Sequence, residues 1–262
     1  MRKIIKSALN RVPLSRRIVN SHRFYNFINR LDALRSGQKL KSGNLQDIFT
    51  DYYRENYWEN DESLSGDGST LAYTENLRRE LPSLLEKFEI QSIFDAPCGD
   101  YNWFRFVERG AGVRYIGADV VEDLIQRNKE KHANPNTDFI KLDITRDPLP
   151  AADLWMCRDV LFHFSFRDVF LSLQNFLRSD IKFLLATSHT ECAANADILS
   201  GQFRLLNLEL EPFDLPAPIV GIDDWIEGYP VRKMCLWQRE TVAESLAANE
   251  DFQAAAAAAA GQ

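Results

Sequence analysis

Three aspartates stand where short apolar runs end. Asp95 closes Ile93-Phe-Asp, Asp119 closes Tyr115-Ile-Gly-Ala-Asp, and Asp143 closes Phe139-Ile-Lys-Leu-Asp. Behind the first lies Ala96-Pro-Cys-Gly-Asp-Tyr101, a turn of small residues in which Gly99 lets the backbone approach a ligand closely. If the runs are strands of one parallel sheet, all three carboxylates reach the same rim, and open α/β sheets bind ligands at that rim. Asp119 follows Gly99 by twenty residues, the separation at which this architecture places a ribose-binding carboxylate. The turn is expected to run into a helix near 103–108, whose free amides favour negative charge. Positions 97, 101 and 102 hold Pro, Tyr and Asn, so GxGxxG is absent. That argues against pyrophosphate recognition and a nicotinamide-dependent oxidoreductase.

Asp100, Asp159, His163 and His189 are candidates for general acid–base work near the same rim. A positioned carboxylate or imidazole contributes roughly 10²- to 10⁴-fold. His189, in Leu185-Ala-Thr-Ser-His, is preferred as the base by a narrow margin, while His163 is read chiefly as positional. Asp159 is read first as an ion-pair partner of Arg158 or His163. No spacing demands converging oxygen ligands, so no metal is expected. Trp103, Phe104, Phe162, Phe164 and Phe166 are assigned mainly to the core, with the acceptor pocket as the second reading.

The elements that must position these residues follow from periodicity. Strands are expected at 92–96, 113–118, 138–142, 154–157 and 183–187, with helices at 121–131 and 167–177 between them. Two later runs, 203–210 and 232–238, read as strands open to antiparallel pairing. Upstream, helices are expected at 45–58 and 77–88, with Thr74 as N-cap and Pro82 kinking or restarting the second. The result is an α/β chain with a Rossmann-like, doubly wound, mostly parallel sheet of about seven strands and an N-terminal helical extension. The boundaries are an extension over 1–62, the sheet domain over 63–240, and a tail over 241–262 whose Ala254–Ala260 run is assigned no chemistry.

These residues resemble the class I S-adenosylmethionine-dependent methyltransferases from about Ser63 to Arg239. Asp95-Ala-Pro-Cys-Gly-Asp-Tyr101 is similar to that family's first motif, with Pro97 and Tyr101 in place of two glycines. Asp153-Leu-Trp-Met-Cys-Arg-Asp-Val-Leu-Phe-His163 is similar to its fourth-strand segment. The resemblance implies that S-adenosylmethionine is the cofactor, that Asp95 helps orient its methionine end, and that Ala96, Pro97, Cys98 and Gly99 also bind it. It further implies Asp119 on the ribose, Val120 against adenine, and Asp143 with Ile144 at the adenine edge. Arg158, Ser69 and Tyr73 join the expected cofactor set. Glu62-Ser-Leu-Ser-Gly-Asp-Gly-Ser-Thr70 looks like a bacterial branch of the superfamily associated with surface-glycan genes, which implies a glycan or other small-molecule hydroxyl as acceptor. This segment is also expected either to fold over the cofactor, its hydroxyls reaching a carboxylate, or to be an ordinary loop. The two substituted glycines keep a competing reading in play, a catalytically degenerate scaffold that docks through its basic N-terminus.

Composition bounds the rest. With 262 residues, 45% apolar and 26% charged, the chain buries a substantial core and is neither disordered nor collagen-like. Apolar runs fall far short of the roughly 18 to 20 residues that span a bilayer. Cys98, Cys157, Cys192 and Cys235 form no CxxC pair, and no apolar leader precedes them, which suits a reducing cytoplasmic setting. Residues 1–43 hold eleven of the 31 Lys and Arg and one of the 38 acids, so they carry +10 and the remainder −17. Nucleic acid is therefore not an expected partner of the body. The basic front end, read as an amphipathic helix over Ile4 to Leu34, is the part expected to meet an anionic membrane face or a protein.

Overall fold

In the computed structural model, Leu40 and residues 44–260 are described; the expected basic helix over Ile4 to Leu34 lies outside them. The strands are β1 (Ser92–Asp95), β2 (Arg114–Asp119), β3 (Thr137–Lys141), β4 (Leu154–Cys157), β5 (Phe183–Ser188), β6 (Val220–Asp223) and β7 (Lys233–Gln238). They form one sheet in the order β3-β2-β1-β4-β5-β7-β6, parallel from β3 to β5 and antiparallel at β7 and β6. The chain thus has the doubly wound, mostly parallel α/β architecture expected of it. The strand order reverses between β1 and β4, the position at which such sheets open a ligand crevice.

The helices are α1 (Leu45–Arg54), α2 (Glu75–Lys87), α3 (Glu122–His132), α4 (Phe166–Arg178), α5 (Arg239–Leu246) and α6 (Glu250–Ala260). Successive side chains of a strand point to opposite faces, and here both faces are covered. Phe94, Trp155, Cys157, Leu184 and Ala186 pack with Val169, Leu173 and Phe176 of α4, and Val242, Leu246 and Phe252 of α5 and α6 close the same cluster. Ile93, Leu154, Met156 and Leu185 pack instead with Leu77, Leu81, Leu84 and Leu85 of α2. That leucine stripe keeps α2 continuous through Pro82, where a kink or restart was expected, although proline cannot donate to the helix ladder. Thr74 stands at the N-cap, but its hydroxyl donates to Thr70 O. Asn44 and Ser165 do cap α1 and α4, accepting from Asp47 N–H and Asp168 N–H. No helix among the described residues is long and apolar enough to cross a membrane.

Two expectations are corrected. Residues 203–210 are not a strand: the segment is irregular, and its backbone groups bond to loops. Arg204 N–H donates to Phe162 O, His189 N–H to Leu206 O, and Leu208 N–H to Ser188 Oγ. Its apolar pattern reflects burial, since Leu206 and Leu208 are wholly enclosed. The actual edge strand, β6, is short and contains Gly221, which hid its periodicity. The α-helix expected near 103–108 is also missing, reduced to one 3₁₀ turn at Phe104–Phe106. Tyr101 takes a left-handed φ of 56°, which breaks a right-handed helix at its start. Because residues 203–210 are core, Leu206→Ala is expected to cost about 2–5 kcal/mol, the range for emptying a buried leucine site. Urea denaturation checks this, and a loss under about 1 kcal/mol would mark the segment as a surface loop.

Candidate active site

The carboxyl ends of the parallel strands open into a cavity of about 690 Å³. Below β1, β2 and β3 it is lined by Asp95, Pro97, Cys98, Gly99, Asp119, Val120, Asp143 and Ile144. Arg158, Asp159, His163, His189, Ser69 and Tyr73 line it elsewhere. Two residues of the expected set are not on its wall. The Ala96 side chain lies in the core, with its carbonyl accepting from Trp155 Nε1. Asp100 is turned away into the loop described below.

Asp95 is 2% exposed. Tyr115 Oη donates to its Oδ2 at 2.6 Å, while Oδ1 is buried with no hydrogen-bond partner. Burial pushes its carboxyl up to about 8, the tyrosine bond opposing the shift without cancelling it. An orphaned carboxylate oxygen on a cavity wall is a place for a cationic or donor group. Burial also raises Asp119, to about 6, against the backbone amides of Val121, Gly99 and Val120. Val121 N–H donates to its Oδ1 at 3.1 Å. Asp143 Oδ1 accepts from Thr145 N–H and Oγ1, and Oδ2 pairs with the exposed Arg146 at 3.0 Å.

The Gly99 turn is covered by the loop that precedes α2. Asp100 accepts from Ser63 Oγ at 3.0 Å and Leu64 N–H at 2.8 Å, and its own N–H donates to Ser65 Oγ. These bonds occupy both oxygens of Asp100 and remove it from the candidate bases. Gly99 has φ 54°, and a Cβ there would stand 2.3 Å from Ser65 Oγ, so only glycine fits. Gly68 O accepts from Arg158 Nη2 at 2.7 Å, and Asp67 Oδ2 from Tyr229 Oη at 2.8 Å, which moor the rest of the loop.

Below β4, β5 and β7 two arginines and two aspartates form a network of opposed charges, buried except for the half-buried Asp159. Arg158 grips Asp224 bidentately at 3.0 and 2.9 Å and meets Asp159 at 3.3 Å. Arg232 meets Asp159 at 2.9 and 3.0 Å and Asp224 at 3.3 Å. Burial works against the charge of Asp159, but Arg158 and Arg232 outweigh it and hold its carboxyl below the usual range. Tyr73 lies over Arg232 at 4.8 Å, and burial raises its phenol. Sequence reasoning missed Arg232 and Asp224. An antiparallel strand entering beside β5 must begin at this rim, and that signal was present in the run 232–238.

The two histidines differ in tautomer. His189 is 2% exposed, its Nδ1 accepts from Leu206 N–H, and burial, then Arg232, lowers it to about 3. With Nδ1 so used, the ring proton sits on Nε2, which then donates and does not accept. This environment does not suit the expected role of base. His163 is the reverse: Nδ1–H donates to Gln202 O at 2.8 Å, which makes Nε2 the basic nitrogen. The cavity is completed by Phe49 and Tyr53 of α1, Tyr57 and Trp58 after it, and Trp103, Phe162, Phe164 and Phe203. Phe104 belongs to the core and Phe166 packs on its edge.

The sequence matches no protein-family model and no curated protein. Among solved structures, the chain is similar to human N-acetylserotonin methyltransferase in complex with SAM, at 14% identity over 84% of this chain and 68% of that one, with a TM-score of 0.53. It is similar to magnesium protoporphyrin IX methyltransferase from Synechocystis PCC 6803 with bound SAH, at 12% identity, 74% and 98% coverage and a TM-score of 0.53. PigF with SAH matches at 12% identity over 86% of this chain and 72% of that one, with a TM-score of 0.54. At these identities the likeness establishes the fold.

The state of Asp95 has a measurable consequence. Its folded-state value of about 8 lies above the ordinary 3.8, so between those values the folded protein holds a proton that the unfolded chain has released. Stability must fall as pH rises through that window. Ligand-free Asp95→Asn, with nothing to deprotonate, is expected to lose less stability than the wild type between roughly pH 5 and pH 8. Thermal unfolding of both across that range is the measurement; parallel curves would mean that the carboxyl ionises normally.

Proposed function

We propose that this chain, which has the fold of the class I S-adenosylmethionine-dependent methyltransferases, is an enzyme of that kind acting on a hydroxyl acceptor. The observation that carries the reading is the unpartnered, buried Oδ1 of Asp95 on the cavity wall. It stands beside a turn where only glycine fits, with Asp119 on the neighbouring parallel strand. Those acceptors suit the methionine amino group at Asp95 and the ribose hydroxyls at Asp119. Val120 and Ile144 supply apolar surface for adenine, and Asp143 stands at its edge. S-adenosylmethionine, when bound, supplies a methyl group on a positively charged sulfur. The likeness to proteins crystallised with SAM or SAH points the same way.

The acceptor half supports a sugar-type or similar small-molecule hydroxyl. Trp58, Tyr57 and Phe49 offer ring faces and edges on which a sugar ring packs. His163 presents a basic Nε2, and the ionised Asp159 stands ready to stabilise the imidazolium formed when that nitrogen takes a hydroxyl proton. Aligning two reactants in a dry cavity contributes about 7–11 kcal/mol in favourable cases, and the covering loop and aromatic wall serve that exclusion of water.

Calorimetric titration with S-adenosylmethionine is expected to give micromolar affinity, about −8 kcal/mol; absence of heat would favour the degenerate-scaffold reading. Because Asp95 must release its proton to meet a cation, affinity is expected to rise with pH up to about 8. Asp119→Ala is expected to weaken binding by about 1.5–3 kcal/mol, and unchanged affinity would place its carboxylate outside the site. With methyl-labelled S-adenosylmethionine and a panel of nucleotide sugars and oligosaccharides, mass spectrometry is expected to find the label on oxygen. A methyl on nitrogen or carbon overturns the hydroxyl assignment. His163→Gln is expected to lower turnover about 10²-fold or more at unchanged cofactor affinity; full turnover would remove it from the mechanism.

A further inference from the structure

The one-turn helix that carries His163, Leu161–His163, is held from outside by the irregular segment 200–204. Gly201 N–H donates to His163 O at 2.7 Å, and Arg204 N–H to Phe162 O at 3.1 Å. His163 Nδ1–H returns a bond to Gln202 O. The Arg204 guanidinium then reaches around the turn, Nη1 donating to Phe164 O and Nη2 to Leu161 O at 3.4 Å. The carbonyls it holds are those two residues before and one residue after His163. α1 braces the same segment, since Tyr52 Oη donates to Gly201 O at 2.9 Å.

Arg204 is 1% exposed, and its Nε has no hydrogen-bond partner. Among the described residues no carboxylate lies within ion-pairing distance of it; Asp197, the acid that acts on it most, does so only through its field. A buried cation without a counter-ion is costly. A methionine would fill much of the same space beside Phe166 without that cost, so packing does not account for an arginine here. Its hydrogen bonds to the carbonyls of the His163 turn do.

We propose that Arg204 is a positioning residue for His163: by clamping the carbonyls of Leu161 and Phe164 it keeps the imidazole with Nδ1–H on the Gln202 carbonyl, leaving Nε2 as the basic nitrogen. The clamp stands on these contacts alone; its catalytic meaning rests on the methyl-transfer reading above.

The test is long-range proton–nitrogen NMR on the full chain labelled with ¹⁵N-histidine, above the pH range in which imidazole titrates and with neither cofactor nor acceptor present. His163→Gln identifies the His163 signals. In the wild type His163 is expected to be protonated mainly on Nδ1, and His189 on Nε2. Arg204→Met is expected to shift the His163 tautomer ratio several-fold towards Nε2–H and leave His189 unchanged. Arg204→Lys, which keeps the charge but cannot span both carbonyls, is expected to fall between them. A wild-type His163 protonated on Nε2, or a folded Arg204→Met with the wild-type ratio, overturns the proposal. Where the methionine variant does not fold, the lysine variant decides, and an unshifted ratio there counts against the clamp. Full turnover of His163→Gln would sink the base assignment while leaving the tautomer result standing, so the two failures are separable.

Discussion

A carboxylate that cannot be fully satisfied by its own protein governs this cavity. Asp95 ends a strand buried on both faces, and one of its oxygens has Tyr115 while the other has nothing. Leaving a buried acceptor unmet costs about 1–3 kcal/mol, more for a charged one, so the protein reduces the cost by keeping the proton. A cation arriving at the rim reverses that balance. The sheet makes the arrangement possible: parallel pairing of β1 with β2 and β4 delivers Asp95 to the rim.

The other half of the cavity solves the opposite problem. Asp224 is buried as well and Asp159 half-buried, but two guanidiniums pair with both. Such a network sets positions more than it adds stability, since desolvation consumes much of the Coulombic gain. It fixes where β4, the β6–β7 connection and the loop before α2 meet, because Arg158 also holds Gly68 O and Arg232 also holds Asp224 O. The cavity therefore has one electrically incomplete side and one closed side, and only the incomplete side calls for a charged ligand.

Sheet and rim were legible in the sequence where local pattern and tertiary environment agree. β4 falls at the expected 154–157, and Asp95, Asp119 and Asp143 do converge, because the end of a short apolar run is also the end of a buried parallel strand. Legibility failed where burial imposes apolar pattern on irregular backbone. The run 203–210 alternates like a strand, yet its amides are spent on the His163 and His189 loops. The helix expected after Gly99 failed for a related reason: Tyr101, Trp103 and Phe104 are all buried, and a left-handed residue was needed to turn them inward. Choosing between the two histidines required knowing which backbone group each Nδ1 meets, and no spacing encodes that.

The division between regular and irregular backbone also decides what the structural likenesses carry. The half of the cavity proposed for the cofactor is built by the ends of β1, β2 and β3, the part of the molecule that a fold defines. The half proposed for the acceptor is built by the segment after α1, the serine and glycine loop, the 200–204 segment and the β6–β7 connection, none of which belongs to a sheet ladder. A common sheet at 12–14% identity therefore speaks to the sheet and not to the segments around it, because folds host many chemistries by varying such segments. The substrates of the similar structures do not transfer. What bears on the acceptor here is local: the aromatic planes around the opening and an imidazole whose tautomer is set by a carbonyl from outside the sheet.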